Sequence, residues 1–151
     1  MQTEKVIDYI VNWLKDYATK AGVKGFVIGV SGGVDSGVVS TLCAMTGLKV
    51  LALEMPIRQQ KDQASRALEH IDFLKNKFPN VEGFTVDLNE PFEALYKTFD
   101  VKDDEFPAEK LAFANTRSRL RMLTLYYYGQ INGLLVCGTG NKVEDFGIGF
   151  Y

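Results

Sequence analysis

The sequence predicts an α/β fold, a doubly wound parallel sheet with helices on both faces. Three observations predict it. Short apolar runs alternate along the chain with segments whose apolar residues recur at helical spacing. The first run leads through a glycine-rich turn directly into a helix, and a second strand follows that helix. Strand, helix and strand form one right-handed parallel unit, and its repetition argues for a sheet covered on both sides.

Each element has its own signal. Residues 3–20 place Val6, Ile7, Ile10, Val11, Leu14, Tyr17 and Ala18 on one side of an amphipathic helix. Trp13 falls off that stripe, free to meet another helix or a second subunit. Gly22 and Gly25 bracket the exit into a first strand, residues 25–30. A helix over 37–45 follows, ended by Thr46-Gly47. The run 49–55 is a second strand closed by Pro56. Residues 59–77 read as a helix with Ala64, Ala67, Leu68, Ile71 and Leu74 on one side, broken at Pro79-Asn80. His70 reads as a surface residue of that helix. Residues 81–88 are a third strand. Asn89 caps a short helix with Pro91 in its first turn, running to about Phe99. Residues 100–107 are polar and acidic and read as a loop, 108–130 as a long helix, 133–138 as a fourth strand, and 139 onward as a loop. There is no repeat and no low-complexity segment.

Composition bounds the function. The chain has 151 residues, enough for one domain with a real core. It is 46% hydrophobic and 24% charged, as a globular chain is and a disordered one is not. With a net charge of -2, no basic excess recommends nucleic acid as a partner. The N-terminus has no apolar signal region and no run reaches membrane-spanning length, which leaves the cytoplasm as the default. Cys43 and Cys137 lie in apolar runs and read as small buried side chains. With no Cys-x-x-Cys and a single histidine, a zinc site is not expected.

The chemistry concentrates at Ser31-Gly32-Gly33-Val34-Asp35-Ser36, between the first strand and its helix. Glycines let the backbone pass close to an anion, and the first N–H groups of a helix point at it. Ser31 and Ser36 add hydroxyls, and Asp35 adds a carboxylate suited to Mg2+ beside phosphates. No Gly-Lys-Ser/Thr follows, so this is not a Walker A loop. The hexapeptide resembles the Ser-Gly-Gly-x-Asp-Ser signature of the ATP pyrophosphatases, the PP-loop family. That resemblance implies the adenine nucleotide α-hydrolase-like sheet and cleavage of ATP between its α and β phosphates.

A second motif, Asn115-Thr116-Arg117-Ser118-Arg119-Leu120-Arg121-Met122, lies on the long helix. Asn115, Arg119, Met122 and Tyr126 share one face, and Arg117, Arg121, Thr124 and Tyr128 the neighbouring one. Asn115, Arg119 and Tyr126 can thus point together at a ligand, the arginine as a planar fork for phosphate or carboxylate. A third motif, Gly138-Thr139-Gly140-Asn141-Lys142-Val143-Glu144, follows the fourth strand and offers Glu144 as a second Mg2+ carboxylate. Each motif has a plain alternative: a dipole-favoured acid at a helix start, a solvated basic helix, a strand-exit turn.

In this order and spacing the three motifs resemble the NAD synthetase family, across essentially the whole chain. The resemblance implies an α/β homodimer that adenylates the carboxylate of nicotinic acid adenine dinucleotide with Mg-ATP and lets ammonia displace AMP. It casts Ser31, Gly32, Gly33, Val34, Asp35 and Ser36 as the pyrophosphate loop, with Asp35 and Glu144 as Mg2+ ligands. It sets Arg119 and Thr139 at the reacting end of ATP, Asn115 and Tyr126 on the dinucleotide side, and Met55 beside the adenine. Asp35, Arg119 and Glu144 are its catalytic candidates. The family continues past the point corresponding to Tyr151 with a further acid and lysine, so the chain is expected to be one domain, 1–151, incomplete at its C-terminus. No nitrilase-like domain precedes the loop, as in the ammonia-using type. Two other readings stand beside this one: another PP-loop amidating ligase of the GMP synthetase kind, and a nucleotide-binding module without turnover.

Overall fold

The computed structural model describes residues 2–58, 61–99 and 106–143, without the side chains of 61–64. The elements in chain order are α1 (Thr3–Lys20), β1 (Gly25–Gly29), α2 (Val34–Met45), β2 (Lys49–Glu54), α3 (Lys61–Lys77), β3 (Val81–Thr85), α4 (Asn89–Thr98), α5 (Pro107–Asn132) and β4 (Leu135–Val136).

The four strands form one parallel sheet in the order β3-β2-β1-β4. In register, Phe26 pairs with Val50 on one side and Leu135 on the other. Side chains alternate across a strand, and both faces are covered, so β1 and β2 are apolar at nearly every position. Phe26, Ile28, Val50 and Ala52 pack with α1, α2 and α3 through Leu14, Ala18, Cys43, Ala44, Ile71 and Leu74. Val27, Leu51 and Leu53 pack on the opposite side with Phe92 of α4 and Phe113 of α5. These two clusters are the doubly wound architecture expected from the sequence. Each fully buried large side chain contributes about 1.5–3 kcal/mol.

Connectivity positions the site. From β1 the chain winds outward through β2 to β3, then crosses back through α4 and α5 to place β4 on the far side of β1. The strand order therefore reverses between β1 and β4. In open α/β sheets that reversal opens a crevice beyond the carboxyl ends of the strands.

Several local expectations shift. Helix α2 begins at Val34 rather than Gly37: Gly32 turns the chain at φ 80° and Gly33 is extended, so Val34, Asp35 and Ser36 form the first helical turn. Asn89 is not the cap of α4. Leu88 holds that position, Asp87 Oδ1 accepts from the Asn89 backbone N–H, and the Asn89 side chain accepts from the Arg58 N–H instead. The long helix runs from Pro107 to Asn132, with left-handed Gly133 (φ 66°) ending it. Strand β3 stops at Thr85 and β4 is only two residues long. His70 is half-buried rather than on the surface, its Nε2 2.9 Å from Ser40 Oγ between α2 and α3. Cys43 is buried as expected and Cys137 only half-buried. Most of the acidic loop, residues 100–105, lies outside the described residues, as does everything from Glu144 on.

Candidate active site

The loop after β1 is held by its own serines. Ser36 is 3% exposed; its hydroxyl donates to Gly33 O at 3.0 Å and accepts from Ser31 N–H at 3.2 Å. Ser31 Oγ lies 3.1 Å from Ser36 Oγ and accepts from Gly33 N–H at 3.2 Å. Ser36 is thus the staple of the loop, while Ser31 is exposed at its mouth. The first helical hydrogen bond runs from Gly37 N to Gly33 O, so the N–H groups of Val34, Asp35 and Ser36 precede it and face outward at the positive end of α2. That is an anion cradle.

Beside the loop a cleft of about 490 Å³ opens at the β1/β4 reversal. Its floor comes from strand ends: Gly29, Val30 and Ser31 at the end of β1, Met55 after β2, and Val136 to Thr139 at the end of β4. Its wall is α5, through Ser118, Arg121, Met122, Leu125 and Tyr126. Gly29 matters here because a Cβ would stand 2.9 Å from Met55 Cε. Its absence lets Met55 lie over the strand end.

Arg121 is the cation of this cleft. Its Nε donates to Met55 O at 3.0 Å, joining α5 to the end of β2. Among the described residues no carboxylate pairs with it. Burial first, and the Arg117 charge second, lower its pKa from the usual arginine value, yet a guanidinium stays charged at neutral pH. A half-buried cation with no carboxylate partner among the described residues suits a phosphate or carboxylate from a ligand.

The segment after Met55 is braced from α4. Arg58 takes a left-handed backbone (φ 47°), rare for a non-glycine residue. It is held by its N–H to Asn89 Oδ1 (2.7 Å), by a two-pronged contact with Glu93 (2.6 and 2.9 Å), and by stacking 4.4 Å over the Tyr96 ring.

The sequence candidates distribute as follows. Ser31, Met55, Tyr126 and Thr139 line the cleft, and Gly32 to Ser36 form the loop at its edge. Asn115 and Arg119 are not among the lining residues, and Arg119 is exposed. Glu144 lies outside the described residues. The cleft instead takes Arg121 from the neighbouring helix face, with Ser118, Met122 and Leu125. The missed signal is Gly129, where a Cβ would stand 3.3 Å from Val27 Cγ1. That closeness fixes which side of α5 meets the sheet, and Leu125, Met122 and Ser118 precede Gly129 by four, seven and eleven residues, spacings of one helical face.

Among the described residues no group of three or more His, Cys, Asp or Glu side chains gathers to hold a metal by itself. Asp35 is a single exposed carboxylate in the first turn of α2. One carboxylate beside a phosphate cradle fits Mg2+, which keeps waters and takes substrate phosphates as ligands.

The NAD synthase family profile matches residues 6–151 of this sequence. The chain belongs to the NAD synthase family. An NH(3)-dependent NAD(+) synthetase of Mesoplasma florum is 37% identical over 152 residues, covering 100% of this chain and 59% of that protein. Among solved structures, the NMN synthetase from Francisella tularensis superposes with a TM-score of 0.85 at 33% identity, covering 100% of this chain and 59% of the other. The NH3-dependent NAD synthetase from Campylobacter jejuni, solved with a nitrate ion, gives 0.85 at 28% identity, covering 100% and 62%. The chain therefore spans about three-fifths of the length of these NAD synthase relatives. No helix among the described residues is long and apolar enough to cross a membrane.

Proposed function

We propose that this chain carries the ATP-activating part of an ammonia-dependent NAD synthetase, a ligase that amidates nicotinic acid adenine dinucleotide in the cytoplasm. The observation that carries the reading is the serine-stapled anion cradle opening onto a cleft at the strand-order reversal.

On this reading the outward N–H groups of Val34, Asp35 and Ser36, with the Ser31 hydroxyl, take the β and γ phosphates of ATP. The apolar floor and wall around Met55, Leu125 and Val136 take the adenine. Arg121 and Thr139 face the α-phosphate. Tyr126, in the cleft lining, would meet the dinucleotide acid, and Asn115 and Arg119, outside the lining, would contact it only as it extends beyond the cleft. Its carboxylate oxygen attacks the α-phosphorus and pyrophosphate leaves. Ammonia then attacks the acyl carbon, and AMP leaves. No side-chain nucleophile is required; the protein orients the reactants and offsets the charge that develops on phosphorus. Asp35 and Glu144 would hold Mg2+, which supplies neutralisation of phosphate charge.

Pairing of two copies belongs to the same reading. Val6, Tyr9, Trp13 and Tyr17 recur at helical spacing on α1 and are exposed, as are Leu123, Tyr127 and Ile131 on α5. Surfaces of this kind suit a homodimer.

The likeness to the Francisella NMN synthetase supports a second substrate, the mononucleotide acid. The test is pyrophosphate release from Mg-ATP and ammonia with the dinucleotide acid, the mononucleotide acid or xanthosine monophosphate, using Asp35→Ala as control. Release that needs the dinucleotide and drops at least a hundredfold in the variant supports NAD synthesis. Dependence on the mononucleotide reassigns the substrate, and dependence on xanthosine monophosphate moves the chain to the GMP synthetase kind. ATP binding with no release for any acid would leave a nucleotide-binding module.

A further inference from the structure

Cys43 and Cys137 are the two cysteines of the sequence. Separated by 94 residues, their sulfurs stand 3.5 Å apart with both thiols free. Their access differs. Cys43 is on α2, 0% exposed, in the core cluster on that face of the sheet. Cys137 follows β4, is half-buried, and lines the cleft. The Cys43 thiol donates to the Cys137 sulfur. That contact lowers the pKa of Cys137 against the opposing effect of burial, while the same contact and then burial push the Cys43 thiol far up. A reactive cysteine needs a favoured thiolate and an approach. Cys137 lines the cleft, the Cys43 contact favours its thiolate, and a second sulfur stands 3.5 Å behind it.

We propose that Cys137 is a site of oxidation by a hydroperoxide entering the cleft, and that Cys43 resolves it to an intramolecular disulfide. In the first step the Cys137 thiolate attacks a peroxide oxygen. A sulfur–oxygen bond forms, the O–O bond breaks, and hydroxide or alkoxide leaves. Cys137 becomes a sulfenic acid, oxidised by two electrons as the peroxide is reduced. In the second step the Cys43 sulfur bonds to the Cys137 sulfur, the S–O bond breaks, and the departing oxygen takes the Cys43 proton and leaves as water.

A disulfide is about 2.05 Å long, so the sulfurs close by about 1.5 Å. The movement falls to Cys137, because β4 pairs with β1 at only two positions whereas Cys43 is packed in the core. The new bond ties α2, which begins at the phosphate loop, to the strand end that carries Gly138 and Thr139.

The experiment treats the reduced chain with hydrogen peroxide and reads intact mass and a non-reducing peptide map. The wild-type chain should lose the mass of two hydrogens, yield one peptide pair joined at Cys43 and Cys137, and recover both thiols with dithiothreitol. In Cys43→Ala the sulfenic acid should persist at Cys137 and take a dimedone adduct. Retention of both thiols under peroxide that oxidises free cysteine in the same buffer would overturn the proposal. So would a disulfide between two chains, or a sulfenic adduct at Cys43 of a Cys137→Ala chain matching that at Cys137. The wild-type map needs no substitution, so it decides the matter even if a variant fails to fold.

Discussion

Two side chains that the sequence ranked low carry specific work. Arg121 is one of three arginines on a helix, and its half-buried place in the cleft wall, with a hydrogen bond to Met55 O, separates it from exposed Arg119. Arg121→Ala removes both that bond and the positive charge in the cleft wall. Hydrogen bonds to charged groups contribute about 1.5–3 kcal/mol, so Mg-ATP affinity should fall tenfold or more by calorimetry, with adenosine binding changed much less. An equal loss for both ligands would mean that Arg121 supports the wall and does not touch phosphate. His70 is the other. Burial lowers its pKa against the opposing effect of the Gly37 backbone, so the folded state prefers the neutral ring bonded to Ser40. The folded pKa lies below the unfolded one. The contribution is therefore present above the ordinary histidine value near 6.5 and is lost as pH falls through the folded value. Urea midpoints should drop between about pH 7.5 and 5, and His70→Gln should flatten that drop. An unchanged slope in the variant would assign the acid sensitivity to other groups.

At the scale of elements, close backbone approach sets the geometry. The Cβ of an alanine at Gly25 would lie 1.9 Å from Lys49 O, at φ 152°. Gly25→Ala should cost about 3 kcal/mol or more, adding overpacking to backbone strain, and chemical denaturation would show it. A cost under about 1 kcal/mol would mean that β1 and β2 can separate locally without loss. On the opposite face Phe92 is 0% exposed and meets Phe113 edge-on at 6.0 Å. Phe92→Ala should cost about 3–5 kcal/mol through the cavity it leaves, read by the same titration. These contacts also explain which boundaries were legible. Helix α1 has the bounds that its apolar spacing and exit glycine predict, but of the predicted stripe only Leu14 and Ala18 are fully buried, and Val6 and Tyr17 are exposed beside Trp13. The sequence marks the start of α2 at Gly37, three residues late, because Val34, Asp35 and Ser36 serve both as phosphate loop and as the helix's first turn. For α5 the sequence supplied a helix and two adjacent polar faces, but no rule within the helix chooses between them. Gly129 against Val27 does.

For the whole molecule, the sheet order decides where chemistry can occur. Crossing from β3 to the far side of β1 brings residues 29–31 and 136–139 to one crevice, with Met55 from β2 completing the floor. The exposed stripes of α1 and α5 give a separate test: wild-type chain should sediment as a dimer, and a Trp13→Glu, Tyr127→Glu double variant as a monomer. A wild-type chain that stays monomeric at high concentration would remove the homodimer from the proposed function. By itself the sequence determined the α/β class, the parallel unit, the phosphate loop and the resemblance to NAD synthetases, because these rest on local periodicity and on short motifs whose geometry is set by neighbours in the chain. Only the tertiary structure decided that Arg121 faces the cleft in place of Arg119, that His70 is held against Ser40, and that the two cysteines meet. Each of those depends on how a helix is rotated and docked on the sheet, and that rotation is set by packing between residues distant in sequence.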